Sequence, residues 1–88
     1  MDARKLVKMA NEIGAFFQAD PDRQTALDGV AGHLRRFWDP RMRTAILAWV
    51  DRTGGEGLTP LVLDAIRANR EKLTPSAAAA AASRPAGK

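Results

Sequence analysis

The sequence contains no cysteine and a single histidine in its 88 residues. Without cysteine the chain can form no disulfide and can offer no thiolate to a zinc ion or an iron–sulfur cluster. No run approaches the roughly 18 apolar residues that cross a bilayer, and the first residues lack the continuous apolar stretch of a secretory signal. We therefore expect a soluble cytoplasmic protein, stabilised by one modest core or by burial against another protein.

Residues that could carry out catalysis are equally scarce. The histidine, His33, has no second histidine or cysteine with which to bind a metal, and no nucleophile is placed beside it in the sequence. The glycine-rich stretch 54–57 lacks the Lys-Ser/Thr pair of a phosphate-binding loop and follows a helix. We interpret His33 as a partly buried, hydrogen-bonded side chain or a partner contact, and 54–57 as a turn between helices. No catalytic, cofactor-binding or metal-binding residue is predicted in this chain.

Apolar residues recur at helical spacing in four segments, and no segment alternates as a strand would. The first segment aligns Leu6, Ile13 and Phe17 on one face. The four segments begin near Ala3 and at the pairs Asp20-Pro21, Asp39-Pro40 and Thr59-Pro60, and they end near Gln18, Trp38, Gly54-Gly55 and Lys72. This pattern predicts an all-α fold, a small bundle of three to four short helices forming a single domain over residues 1–73. A low-complexity, Ala/Pro-rich and flexible tail is predicted for residues 74–88.

The predicted helix ends depend on local chemistry. An aspartate accepts hydrogen bonds from the first N–H groups of a helix, and proline suits the first helical position because it has no N–H. We therefore assign Asp20, Asp22 and Asp39 to helix starts, where a negative charge also complements the helix dipole. Gly54 is expected to end the third helix, because glycine readily adopts the left-handed conformation. Gly14 weakens the first helix and predicts a close approach of another helix.

The most unusual stretch is residues 34–43, which we call the arginine block. It carries four arginines against one aspartate, so its net charge is +3 in a chain whose net charge is +4. The tail beyond residue 73 adds +2, which leaves −1 for the rest of the chain. Arginine and tryptophan are the residue types most enriched at protein-binding hot spots. The arginine block therefore predicts a docking surface.

Two pairs of adjacent aromatic residues suggest which rings face outward. Phe16 and Phe17 are neighbours on the first helix and Phe37 and Trp38 on the second, so each pair spans about 100°. We expect a half-exposed Trp38 beside the arginines to be the main partner contact; in the alternative interpretation, Trp38 caps the core at the bend and the arginines are solvated. The candidate partner-binding residues are His33, Arg35, Arg36, Phe37, Trp38, Asp39, Arg41 and Arg43.

A nucleic-acid-binding module is an alternative function for short helices with an arginine cluster. Here the positive charge is concentrated within residues 35–43, and few lysines accompany the arginines. A face that follows a phosphate backbone carries its charge over a wider area. We therefore favour a protein partner over nucleic acid or a membrane.

Three segments have a distinctive order of residues: 5–17 (KLVKMANEIGAFF), 33–43 (HLRRFWDPRMR) and 57–62 (GLTPLV). Over about residues 5–70, the chain resembles the small delta subunit of NAD-dependent formate dehydrogenases. The Met-Ala-Asn run at 9–11 and the Phe-Trp-Asp-Pro-Arg-Met run at 37–42 make this resemblance specific in so short a chain. The Ala-rich tail lies outside it.

The resemblance implies a role and a set of partners. The parent enzyme is a cytoplasmic complex of alpha, beta, gamma and delta subunits that oxidises formate to carbon dioxide and reduces NAD⁺. Its alpha subunit carries a molybdenum (in some relatives tungsten) bis-pterin guanine dinucleotide, and the complex also contains iron–sulfur clusters and FMN. The delta subunit would be a non-catalytic accessory component that stabilises the complex or supports insertion or retention of the molybdenum cofactor.

The arginine block then becomes the expected contact with the alpha subunit, and through it with the beta and gamma subunits. Arginine–carboxylate pairs and a buried tryptophan would fix the orientation of the two chains. A transient maturation chaperone is the alternative within the same resemblance, with the arginines contacting the phosphates of the pterin cofactor.

Overall fold

The computed structural model describes residues 2–75, and these form five helices with no strand among them. They are α1 (Ala3–Phe17), α2 (Arg23–Phe37), α3 (Pro40–Thr53), α4 (Pro60–Ala68) and α5 (Arg70–Leu73). The predicted all-α bundle is therefore confirmed. The fourth predicted segment differs in one respect, because Asn69 divides it into α4 and α5. The predicted flexible tail lies outside the described residues from Ser76 onward.

Aspartates cap the first three helices. Asp2 accepts from the backbone N–H of Arg4 at 2.9 Å, and Asp39 accepts from that of Met42 at 3.0 Å. Pro40 occupies the first turn of α3, as the Asp39-Pro40 pair predicts. Each carboxylate satisfies an N–H group that has no partner within its own helix.

The predicted start of α2 at Asp20-Pro21 is wrong by two residues. The capping residue is Asp22, whose carboxylate accepts from the backbone N–H of Gln24 at 3.1 Å and from the Thr25 hydroxyl at 2.7 Å. Asp20 accepts from the N–H of Asp22 at 2.9 Å and orders the turn before the helix. Asp22 is the better cap because Thr25 supplies a second donor three residues later.

One contiguous core joins all five helices. α2 packs against α1, α4 and α5, while α1 also contacts α3 and α4. The core contains the buried residues Leu6, Val7, Ala10, Ala26, Val30, Leu34, Trp38, Ile46, Leu47, Val50, Leu61, Val62, Ala65, Ile66 and Leu73. Burying one stripe of each helix is the main stabilising contribution to a fold of this kind.

Gly14 lies where α1 packs closely against α4. A Cβ placed on Gly14 would overlap the side chain of Val62, which is fully buried. The close helix approach predicted at Gly14 is thus confirmed. Glycine is required here because of the contact, not because of its backbone angles.

The glycine-rich stretch is the turn between α3 and α4, as predicted. Gly54 ends α3 with a φ of 77°, in the left-handed region that glycine adopts without strain. The Asn11 side chain on α1 makes two hydrogen bonds to this turn. It donates to the carbonyl of Gly57 at 2.9 Å and accepts from the N–H of Thr59 at 3.0 Å. Trp49 adds a bond from its indole N–H to the carbonyl of Glu56 at 2.7 Å.

Candidate functional site

The arginine block spans the end of α2, the bend at Asp39 and the first turn of α3. Arg35, Arg36 and Arg41 are exposed there, whereas Arg43 is buried. Asp39 is also exposed, but its carboxylate already caps α3. The predicted partner-binding residues are therefore neighbours in space that do not all share one accessible face.

Trp38 is buried, with only 5% of its surface exposed, so the expectation of a half-exposed Trp38 is wrong. Its neighbour Phe37 is the exposed ring, at 68%. Trp38 follows Leu34 by four residues and so continues the centre of the buried stripe, while Phe37 lies at the edge of that stripe. The alternative interpretation, in which Trp38 caps the core at the bend, describes this residue correctly.

Arg43 is a buried structural residue and does not belong to the exposed surface. Its Nε donates to the carbonyl of Trp38 and one terminal nitrogen donates to the carbonyl of Leu73, both at 3.2 Å. Burial, aided by the nearby charge of Arg35, lowers the pKa of Arg43 from its ordinary value, while Asp39 opposes this shift. Arg43 thus joins α5 to the α2–α3 bend and contributes to a partner surface only indirectly.

An apolar groove of about 620 Å³ opens beside the arginine block, between α1 and the α2–α3 bend. Its lining consists of Met9, Glu12, Ile13, Phe16, Phe17, His33, Phe37, Trp38 and Met42. Trp38 forms part of its floor. Grooves of this size and character accept small molecules or the apolar side chains of another chain.

Three large apolar side chains on this groove are exposed: Phe16 at 77%, Phe37 at 68% and Met9 at 40%. They lie close enough in space to line one concavity. Scattered exposed apolar residues are ordinary, but a contiguous apolar patch marks an interaction site. Phe37 is among the partner-binding residues predicted from the sequence, whereas Met9 and Phe16 are not.

The aromatic pairs explain how the rings come to be exposed. Phe17 turns inward, its ring occupying the space where a Cβ on Gly29 of α2 would lie, and Phe16 packs edge-on against Phe17 with ring centroids 5.1 Å apart. His33 is partly buried, as predicted, and packs against Phe37 with centroids 4.7 Å apart. The glycine at 29 and the adjacent Phe16 and Phe17 were therefore the available sequence signals for this groove.

Exposed basic side chains lie near the groove-lining residues in the sequence. On α1, exposed Lys5 precedes Met9 by four residues and therefore lies on the same helix face. On α2, exposed Arg36 follows His33 by three residues, and exposed Arg41 directly precedes Met42 on α3. Glu12, which carries an exposed carboxylate of the opposite charge, belongs to the groove lining itself. The groove lining is thus mainly apolar, and the charged residue within it is the acid Glu12.

The described part of the chain offers neither a metal site nor a membrane-spanning helix. Within residues 2–75 there is no group of three or more His, Cys, Asp or Glu side chains arranged to hold a metal ion. None of the helices in that range combines the length and apolar character needed to cross a membrane. The apolar groove is the feature that requires a functional explanation.

The fold and the groove together define the class of protein, a small all-α chain that presents an apolar groove. A family model described as "NADH-dependant formate dehydrogenase delta subunit FdsD" matches residues 5–66, and the chain belongs to this family. The matched segment includes the whole groove lining, from Met9 to Met42. The predicted resemblance to formate dehydrogenase delta subunits is confirmed. No curated protein and no solved structure matches the chain significantly.

Proposed function

We propose that this chain is a non-catalytic accessory subunit of a cytoplasmic NAD-dependent formate dehydrogenase and docks on the molybdenum-containing alpha subunit. Contacts with the beta and gamma subunits would follow through the alpha subunit. The observation that carries the proposal is the apolar groove with Phe16 and Phe37 exposed on it, in a chain that belongs to a delta-subunit family. A groove of this kind is suited to binding another protein.

The energetics favour these rings as docking residues. Burying a phenylalanine side chain that was exposed contributes about 1.5–3 kcal/mol. Phe16 and Phe37 retain most of their exposure in the folded chain, so little of this contribution is used in folding. Arg36 and Arg41 would add orientation through paired hydrogen bonds to carboxylates of the alpha subunit.

We further propose that docking stabilises the complex or supports insertion or retention of the molybdenum cofactor. In this proposal the bis-pterin guanine dinucleotide, the iron–sulfur clusters and FMN are all held by other subunits. The lack of cysteine supports this assignment for the clusters, because their usual ligands are cysteine thiolates. The chain would then act on the cofactor through the conformation of the alpha subunit.

The test is purification of the enzyme from its native host through a tag on the alpha subunit, with either the native chain or Phe37→Ala/Arg36→Ala. Hot-spot truncations cost about 2–4 kcal/mol of binding free energy. We therefore expect the double variant to be lost from the purified enzyme, with less molybdenum per alpha subunit. Arg67→Ala is the matched control, because Arg67 is exposed on α4, which contributes nothing to the groove lining.

Stoichiometry separates this proposal from its alternative. A permanent subunit should be present at about one copy per alpha subunit in active enzyme. Recovery only with immature, cofactor-free alpha subunit would indicate a transient maturation chaperone. Retention of the double variant with unchanged molybdenum content would show that the groove is not the docking surface.

A further inference from the structure

The lining of the apolar groove combines aromatic rings with a carboxylate. Phe16, Phe17, Phe37 and Trp38 supply the rings, and Glu12 supplies the carboxylate. Within the described residues, no lysine or arginine belongs to this lining. The face of an aromatic ring is electron-rich, so the rings and the carboxylate both attract a cation. The chemistry of the lining therefore favours a positively charged group.

Glu12 and Phe16 lie on the same face of α1. They are four residues apart, which makes their side chains neighbours on the helix surface, and both belong to the lining. Phe16 is 77% exposed, and Glu12 is exposed as well. Within residues 2–75 no ion pair includes Glu12, although Lys8 lies one turn before it on α1. The carboxylate and the ring are therefore both available to an entering group.

Among cations, a guanidinium fits this lining best. It stacks on aromatic rings, pairs with a carboxylate through two parallel hydrogen bonds and is more weakly hydrated than an ammonium group. It therefore loses less solvation than a lysine would on entering an apolar groove. The exposed arginines at 35, 36 and 41 are not lining residues, so Glu12 is the charge that an entering group contacts.

The source of the guanidinium can be narrowed. A second copy that docked groove to groove would enclose two Glu12 carboxylates, with no lysine or arginine in either described lining. The chain's own tail contains Arg84, but the apolar residues before it are alanines, which offer little surface to Phe16 and Phe37. The family match at residues 5–66 includes the whole lining and excludes the tail. These observations favour a partner in the formate dehydrogenase complex.

We propose that the groove receives an arginine of the alpha subunit, carried on a segment whose neighbouring side chains are apolar. This inference rests on the proposed function and adds the chemistry of the partner segment. The guanidinium lies against the exposed rings of Phe16 and Phe37 and pairs with the Glu12 carboxylate. The apolar neighbours of the arginine cover the rest of the lining, including the exposed Met9. Charge complementarity of this kind gives a docking surface its specificity.

Photo-crosslinking in the assembled complex identifies the occupant. The photoreactive analogue p-benzoylphenylalanine replaces Met9 or Phe37 in the full-length chain, which leaves Glu12 and Phe16 unchanged. Ala48, exposed on α3 and absent from the groove lining, is the control position. Both groove positions are expected to crosslink to one alpha-subunit segment that contains an arginine among apolar residues. The control position is expected to give no crosslink to that segment.

Several results would overturn the inference while leaving the proposed function intact. They are an assembled complex in which positions 9 and 37 crosslink to a second copy, to the tail or to an alpha segment without arginine, and one in which they give no crosslink. Failure of the native chain to assemble with the alpha subunit at all would instead overturn both proposals. The two proposals can therefore be told apart.

Substitution of Phe16 tests the aromatic contact. Phe16→Leu keeps an apolar side chain and removes the ring, so it should weaken binding to the alpha subunit by about two- to fivefold through loss of the cation–π contact. A purely apolar occupant would bind Phe16→Leu and the native chain equally. Equal binding would therefore overturn the inference.

Substitution of Glu12 tests the charge pair. Glu12→Gln keeps the length and the helix propensity of the side chain. It should weaken binding to the alpha subunit by about tenfold and reduce its salt dependence, because an attractive charge pair is lost. The matched control is Glu71→Gln, exposed on α5 and outside the groove lining, which should bind as the native chain does.

A charge exchange completes the test. Glu12→Arg should weaken binding further than Glu12→Gln, because an attractive pair becomes a repulsive one. Changing the crosslinked arginine of the alpha subunit to glutamate should restore binding of Glu12→Arg. Equal binding by Glu12→Gln and Glu71→Gln, or failure of the exchange to restore binding, would overturn the pairing of Glu12 with an arginine.

Discussion

The adjacent residues Phe37 and Trp38 have opposite roles. Trp38 is 5% exposed and belongs to the core, while Phe37 is 68% exposed and belongs to the groove. Both are large aromatic residues in the arginine block, so composition cannot distinguish them. Their positions relative to Leu34 do distinguish them, since only Trp38 continues the centre of the buried stripe.

Substitution of the two rings should therefore separate stability from binding. Trp38→Ala removes a large buried side chain and is expected to lower the free energy of unfolding by about 3–5 kcal/mol. Phe37→Ala, at an exposed position, should change it by no more than about 0.5 kcal/mol. Denaturant unfolding of the full-length chain followed by circular dichroism measures both. A comparable loss of stability in Phe37→Ala would contradict the assignment of Phe37 to a docking surface.

The candidate site could be predicted only in part from the sequence. The arginines and Phe37 stand in one short segment, so their proximity is visible there. Met9 and Phe16 lie on another helix, and they reach the same groove because α1 packs against α2, with Phe17 lying over Gly29. That contact is between distant parts of the chain, and helical periodicity within one segment carries no information about it.

The helix ends that are marked by proline or glycine could be predicted from the sequence. The Asp39-Pro40 start and the Gly54 stop act through residues beside each helix end, and the structure has both. The choice between Asp20 and Asp22 depended on a further donor, the Thr25 hydroxyl. No proline or glycine marks the break between α4 and α5 at Asn69. In the structure, the Asn69 side chain donates to the carbonyl of Ala65 at 3.0 Å.

The cap of α2 should make stability depend on pH. The hydrogen bond from the Thr25 hydroxyl, followed by that from the N–H of Gln24, lowers the pKa of Asp22 below its ordinary value. Because the folded-state pKa is the lower one, this contribution is present above the unfolded pKa of about 3.9. It is lost as the pH falls through the folded-state pKa. Asp22→Asn, which keeps a capping oxygen but no charge, should lack it.

NMR titration of the carboxyl groups checks this prediction at the residue itself. The pKa of Asp22 should lie below the ordinary value for aspartate and return toward it in Thr25→Val, which removes the hydroxyl donor. The stability difference between the native chain and Asp22→Asn should shrink between pH 7 and pH 3. A difference that stays constant over that range would show that the ionised carboxylate contributes nothing to the cap.

Arg43 connects two helix ends that are far apart in the chain. Its hydrogen bonds to the carbonyls of Trp38 and Leu73 join two points 35 residues apart in the chain, the α2–α3 bend and the end of α5. The ion pairs Arg23–Asp64 and Arg70–Asp51 also join distant helices, but they are exposed and so contribute little. The position of Trp38 beneath the groove thus depends on an arginine that is itself hidden from a partner.

For the whole molecule, the small size of the core connects folding with assembly. Domains of this length bury only about 60% of the surface of the unfolded chain, so their stability is modest. A partner that binds only the folded state raises stability by about 2.7 kcal/mol when its concentration is one hundred times Kd. For a domain of this size that corresponds to a rise in Tm of about 10–20 °C.

The proposed docking therefore predicts a stabilisation that depends on the groove. Addition of excess alpha subunit should raise the Tm of the native chain and of Arg67→Ala by about 10–20 °C. Without the alpha subunit, Phe37→Ala should have the same Tm as the native chain, because the substitution leaves the core intact. With excess alpha subunit, most of the rise in Tm should be absent, because the substitution weakens the bound state. The unfolding of this chain in the mixture is measured by hydrogen exchange of the α2 amides as the temperature is raised. Because exchange is resolved by peptide, the signal of this chain is separate from that of the alpha subunit. An equal rise for Phe37→Ala would place the docking surface elsewhere on the molecule.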